Sequence, residues 1–231
     1  SKFPAIDVAV EANRQNGIML LEKGVQPELI LLDDAYQHRK VKPGFSILLT
    51  AYHQLYCDDW YMPTGNLRDS KAAAKRAHVI IVTKCPEDLN ESLQTELIDR
   101  LHPEKNQKVL FSFLSYRSNL KGGKTPLCIN SLKDRRVTLV TGIANPAPLV
   151  YYLKNEGLSC EHLKFNDHHF FTKKELELLK QKDFVLTTEK DHVRLKNELQ
   201  ELYYIEVSHR FLGNGQETLS SELQEFMSKN S

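Results

Sequence analysis

The sequence predicts an α/β protein built on mainly parallel sheet, and three observations carry that prediction. Short aliphatic runs recur, LILL at 29–32, FSILLT at 45–50, VIIVT at 79–83 and VTLVT at 137–141, continuous rather than alternating, as in strands covered on both faces. Helix-patterned segments separate them. Polar clusters sit at the ends of the runs, where open α/β sheets bind ligands.

In chain order, 5–10 reads as a strand and 13–23 as a helix, with Gly24 as its stop. Strands follow at 29–32 and 45–50. The Ala- and Lys-rich stretch 70–76 reads as helical, and 79–83 as a third buried strand. Pro86 and the acidic residues after it open a helix to Leu101. The character then changes. Segments 109–120 and 126–130 look extended and flank LKGGKTP, a hairpin or two-stranded connector. Alternation resumes with a strand at 137–141, a helix to Asn155, a strand at 160–165, a helix at 172–181 and a strand at 184–187. A helix at 190–199, a last strand at 202–207, a loop at 213–216 and an amphipathic tail helix at 217–229 complete the chain, the tail with Leu219, Leu223 and Phe226 on one stripe. We expect a first domain at 1–112, the connector at 113–130, a smaller α/β domain at 131–208, and a tail at 209–231 that packs back on the first domain.

Composition excludes several classes. The 231 residues are 41% hydrophobic and 26% charged, ordinary globular values with material for a real core. A net charge of +1 supplies no field to attract nucleic acid. The four cysteines are far apart and form no CxxC pair, which argues against a disulfide scaffold or zinc knuckle and fits buried, inert thiols in a reducing compartment. No apolar run reaches the ~18 residues that span a bilayer, and no signal peptide is visible. SKFPAIDVAV enters a strand-like segment at once without Met, as if the sequence began inside a longer protein.

Asp33 and Asp34 close the run 29–32. Adjacent carboxylates repel unless a proton or cation relieves them. A hydrated Mg²⁺ beside nucleotide phosphates would do so; a solvated turn with capping Asp reads equally well from this stretch alone. GGKT at 122–125 carries the last letters of a phosphate loop, but Ser118 stands where that motif needs a further Gly, and Pro126 and a strand-like LCIN follow where it needs a helix. In MPTGNLRDS (62–70), Gly65 permits close backbone approach and Arg68 is suited to grip a phosphate, although a surface turn looks the same. FNDHHFF (165–171) places Asp167, His168 and His169 at a strand-to-helix junction. There an imidazole can orient a catalytic acid, or the segment is a helix start with Asp167 near the cap. In TTEKDHVRL (187–195), Thr188 reads as an N-cap with Asp191 at the third helical position, and Lys190 and Arg194, one turn apart, can face an anion. In TGIANPAPL (141–149), Gly142 turns the chain and Asn145 caps a helix opened by Pro146.

Taken in order, DDAYQH, GNLRD, GIANP, DHHFF and TTEKDHVRL resemble the tetraacyldisaccharide 4'-kinase (lipid A 4'-kinase) family, over nearly the whole chain and least clearly at 87–135. Ala35 stands where the family has Gly, and Asn66 and Asp69 depart from its PxGPLRE pattern, which keeps Arg68. The resemblance implies a P-loop kinase-like core, a smaller C-terminal α/β domain and a two-stranded linker. It implies transfer of the γ-phosphate of ATP, with Mg²⁺, to the 4'-hydroxyl of an acylated glucosamine disaccharide lipid at the cytoplasmic face of the bacterial inner membrane. On that reading Asp33 and Asp34 hold Mg²⁺, with Asp34 also catalytic, and Gln37 and His38 orient their loop or touch nucleotide or sugar. Arg68 contacts acceptor or phosphate, and His168 supports the general base from the second domain. The family's phosphate loop, its acidic Gly-Asp-Glu-Pro segment and its membrane-facing N-terminal helix would precede this sequence. The chain by itself is therefore expected to be inactive, and its uncovered apolar faces to favour self-association. A non-catalytic nucleotide- or partner-binding module and a Mg²⁺-dependent sugar transferase are the alternatives.

Overall fold

The computed structural model describes residues 3–230. The chain divides into two compact units: residues up to Phe113 with those from Phe211 on, and Leu114–Arg210. It passes between them within two strands, Lys108–Tyr116 (β3) and Val207–Phe211 (β10). Residues 113–130, expected as a connector, thus hold the end of β3 and a small hairpin, and lie almost wholly in the second unit.

In the first unit, α1 (Arg14–Gly24) starts at Asn13, whose side chain accepts from the N–H groups of Gln15 and Asn16. Strands β1 (Ile47–Ala51), β2 (Val79–Thr83) and β3 run parallel, and the sheet order is β1-β2-β3-β10. Period-two alternation sends Ile80, Val82 and Phe111 to one face, against Leu97 and Leu101 of α2 (Glu91–Leu101). Val79, Ile81 and Leu110 face the other way, against Phe45, Phe211 and Leu219, the last from α6 (Gly215–Asn230). Each such side chain, fully buried, contributes about 1.5–3 kcal/mol. The stretch 70–76 is a 3₁₀ turn, Lys71–Arg76, rather than an α-helix.

Two predicted strands do not form. Residues 5–10 and 29–32 have irregular backbone, with Val10 97% and Leu31 88% exposed. Among the described residues neither segment has a neighbouring strand to pair with. A lone extended segment leaves its N–H and C=O groups to water, so hydrophobicity alone cannot make it a strand. Strand β10, by contrast, forms at Val207–Phe211, beyond the last strand expected at 202–207.

In the second unit, β6 (Val137–Thr141), β7 (Cys160–Lys164), β8 (Phe184–Thr188) and β9 (Leu202–Ile205) form an all-parallel sheet in the order β7-β6-β8-β9. Leu139, Leu186 and Ile205 meet Leu149 and Leu153 of α3 (Ala147–Asn155) on one face. Val140 and Val185 meet Leu179 of α4 (Lys173–Lys180) and Leu195 of α5 (Glu189–Leu195) on the other. Because β6 leads to β7 and β8 leads to β9 in opposite directions, the carboxyl ends of β6 and β8 form a topological switch point. The hairpin β4 (Asn119–Leu120) and β5 (Leu127–Cys128) encloses GGKT. A Cβ on Gly123 would fall 1.9 Å from the Tyr203 ring, and Gly122, at φ +98°, has Leu202 O 2.7 Å from its own. These glycines serve packing, and a strand rather than a helix follows them. All four cysteines are free, with Cys85 buried and the others half-buried.

Candidate functional site

The first unit brings two of the motif loops together. Residues 33–40 form successive turns, with His38 N–H donating to Ala35 O at 2.9 Å and Asp34 in the left-handed region at φ 45°. Tyr36 anchors this segment: its hydroxyl donates to Ala73 O at 2.8 Å, and the Arg76 guanidinium lies over its ring, 4.9 Å from the centroid. Arg76 also donates to Tyr36 O. Asp69 accepts from both Arg39 and Arg76 and joins the DDAYQHR segment to GNLRDS. The Ser70 N–H, then the two guanidinium groups, hold its carboxyl below the usual carboxylate range. Gly65 is required by a close approach, since a Cβ there would lie 2.1 Å from Trp60 O.

This network consumes Tyr36, Arg39, Asp69 and Arg76 and leaves the predicted ligands free. The side chains of Asp33, Asp34, Gln37, His38 and Arg68 are exposed and make no hydrogen bond or ion pair among the described residues. Asp33 and Asp34 sit in a turn, not at the end of a buried strand. No group of three or more His, Cys, Asp or Glu side chains able to hold a metal occurs among the described residues. Two adjacent unpaired carboxylates nevertheless fit Mg²⁺, which takes one or two carboxylates and completes its shell with water and phosphate oxygens. Beyond the end of β1, a cavity of about 190 Å³ is lined by Tyr52, His53, Asp58, Asp59 and Arg100. It is smaller than the ~300 Å³ of typical small-ligand sites.

The second unit assembles its motif loops at the switch point. Asp191, wholly buried, accepts from Gly142 N–H and from the Thr188 hydroxyl, both at 2.8 Å, and from Arg194 at 3.1 Å. It ties the loop after β6 to the start of α5, which is more than the capping role its spacing predicts. Asn145 accepts from Ala147 N–H and helps open α3. Phe165 N–H donates to Thr141 O at 2.7 Å and draws in the loop after β7. There the two histidines diverge. His169 stacks on Phe165, meets Phe171 edge-on and contacts Glu175 at 3.0 Å, so it is structural. His168, at φ 59°, is 72% exposed, with Lys190 and Arg194 beside it. Lys190 donates to Asp167 at 2.8 Å and is the main cause of that carboxyl's lowered pKa. The helix cap is Thr172, in a full capping box with Glu175, not Asp167.

Asp33, Asp34, Gln37, His38 and Arg68 lie in the first unit and His168 in the second. Sequence reasoning missed Tyr36, Arg39, Asp69 and Arg76, whose pairings are long-range, and underrated Asp191, for which the signal was a carboxylate one turn into a helix that follows a buried strand.

Comparison with known proteins decides the family. A model of the LpxK family, described as tetraacyldisaccharide-1-P 4'-kinase, matches residues 1–228. The chain belongs to this family. A tetraacyldisaccharide 4'-kinase from Flavobacterium johnsoniae is 43% identical over 99% of the chain and 68% of its own length. One from Flavobacterium psychrophilum is 44% identical over 92% and 64%, and one from Phocaeicola vulgatus 37% identical over 100% and 69%. The chain thus spans about two thirds of the length of these LpxK relatives. The crystal structure of the "apo" form of LpxK from Aquifex aeolicus in complex with ATP superposes with a TM-score of 0.67, at 22% identity, over 93% of this chain and 62% of that one. That likeness establishes the shared α/β fold.

Proposed function

We propose that the protein to which this chain belongs is an ATP- and Mg²⁺-dependent kinase that phosphorylates the 4'-hydroxyl of a tetraacylated glucosamine disaccharide 1-phosphate at the cytoplasmic face of the bacterial inner membrane. The observation that carries the reading is the carboxylate pair Asp33–Asp34, unpaired and exposed on a loop that Tyr36 and Arg39 pin to Arg76 and Asp69. Family membership supplies the reaction class.

Phosphoryl transfer rests on positioning and charge neutralisation more than on covalent chemistry. Mg²⁺ held by Asp33 and Asp34 would neutralise charge on the nucleotide phosphates. Gln37 and His38, on the same loop, supply hydrogen-bonding groups for nucleotide or sugar. Arg68 offers a planar fork of donors for a phosphate or acceptor oxygen. His168 handles the proton of the acceptor hydroxyl through the general base. The phosphate cradle and the base itself are assigned to no residue of this chain. The chain alone is therefore expected to transfer no phosphate.

The test is phosphate transfer from labelled ATP to the disaccharide lipid by the full-length protein. Asp33→Asn and Asp34→Asn are each expected to lower kcat at least ~10²-fold and to raise the Mg²⁺ requirement, in line with the weight of charge-stabilising groups in such reactions. A double variant with undiminished turnover would sink the proposal.

A further inference from the structure

Two cations face the two nitrogens of one exposed ring. Arg194 Nη2 lies 3.2 Å from His168 Nδ1, and Lys190 Nζ lies 3.3 Å from Nε2. Ammonium and guanidinium groups have only donors, and a neutral imidazole has one lone pair to offer. One of these contacts is therefore a hydrogen bond and the other is not.

The surrounding groups decide which. Lys190 has a closer partner, Asp167 Oδ1 at 2.8 Å. The other oxygen of Asp167 lies 3.8 Å from His168 Nε2, so a proton on Nε2 meets a carboxylate as well as the ammonium. At Nδ1 the polar contact among the described residues is Arg194. Its Nη1 donates at 3.1 Å to Asp191 Oδ1, and Asp191 is wholly buried and held by Gly142 N–H and the Thr188 hydroxyl. A guanidinium is planar and rigid, so anchoring Nη1 aims Nη2. Nη2 makes no other hydrogen bond among the described residues.

We propose that Arg194, fixed by Asp191, is a positioning residue for His168. It donates to Nδ1, keeps that nitrogen unprotonated and places the ring proton on Nε2. His168 then presents its donor at Nε2, beside Lys190 and Asp167, fit for a carboxylate or a phosphoryl oxygen. This deepens the kinase reading and rests on it for its catalytic meaning, while the tautomer itself does not depend on it.

Two measurements separate the layers. In the protein labelled with ¹⁵N-histidine, two-dimensional NMR at a pH where the ring is neutral reads which nitrogen carries hydrogen, with His168→Gln assigning the resonance. The expected result is an Nε2–H ring, shifting to a tautomer mixture in Arg194→Ala and returning in Arg194→Gln, which keeps a donor without the charge. Unfolding midpoints for both variants show whether the unit stays folded, and Arg194→Gln keeps the test open where Arg194→Ala does not fold. In the full-length kinase, Arg194→Ala is expected to lower kcat about tenfold at unchanged KM for ATP, with Arg194→Gln restoring most of it, as for other groups that orient a working histidine. An Nδ1–H ring, or an Nε2–H ring that Arg194→Ala leaves unmoved, overturns the proposal. A tautomer that follows Arg194 beside undiminished turnover in both Arg194→Ala and His168→Gln upholds the positioning and overturns the catalytic role of His168.

Discussion

Asp191 shows how much one buried carboxylate can organise. It has no exposed surface, and three donors satisfy it, from the loop after β6 (Gly142), the end of β8 (Thr188) and α5 (Arg194). Removing one partner of a buried pair leaves the rest unsatisfied and costs about 3–5 kcal/mol. Arg194 keeps some access to water, which places Asp191→Ala near the low end, about 3 kcal/mol. Urea unfolding followed by far-ultraviolet circular dichroism checks this, and a loss below about 1 kcal/mol would mean that water replaces the bonds. At the same scale, Asp33 and Asp34 were singled out because adjacent carboxylates are conspicuous in a sequence. Tyr36, Arg39 and Arg76 were not, because a cation over a ring or a bridge across 30 residues leaves no local pattern.

The helix α4 carries the clearest test at the scale of an element. Thr172 and Glu175 close a capping box, and Glu175 also contacts His169. The Thr172 N–H, then the His169 ring and the Thr172 hydroxyl, pull the Glu175 carboxyl down to about 2 from its ordinary 4.5. A depressed carboxyl contributes stability that is complete above its unfolded value and is lost as the pH falls through its folded one. Amide protection of α4 is therefore expected to decline between about pH 4.5 and 2, and Glu175→Gln to flatten that slope. An unchanged slope would remove Glu175 as its origin. The capping box was readable as T-x-x-E, but FNDHHFF directed attention to Asp167 instead, which Lys190 occupies. The strand prediction at 29–32 failed for a related reason. An aliphatic run states that a segment can be buried, whereas a strand exists only where another backbone supplies the ladder.

At the scale of the whole molecule, that unpaired apolar surface has a consequence. Val8, Val10, Leu29, Leu31 and Leu49 are all exposed in the first unit, and patches of this kind drive association. Sedimentation equilibrium over about a hundredfold range of concentration is expected to show reversible self-association of the chain, reduced in Val10→Lys and Leu31→Lys. A monomer at every concentration would refute it. No helix among the described residues is long and apolar enough to cross a membrane.

The sequence by itself determined the α/β class, the parallel strands at 79–83, 137–141 and 184–187, the structural nature of GGKT, and the family, because burial periodicity, turn chemistry and ordered motifs are local properties of a chain. Only the tertiary structure decided which of two adjacent histidines is exposed, which cations surround it, and which aliphatic runs become strands. Those outcomes depend on partners far away along the chain, and a hydrogen bond or a sheet ladder exists only when both sides arrive.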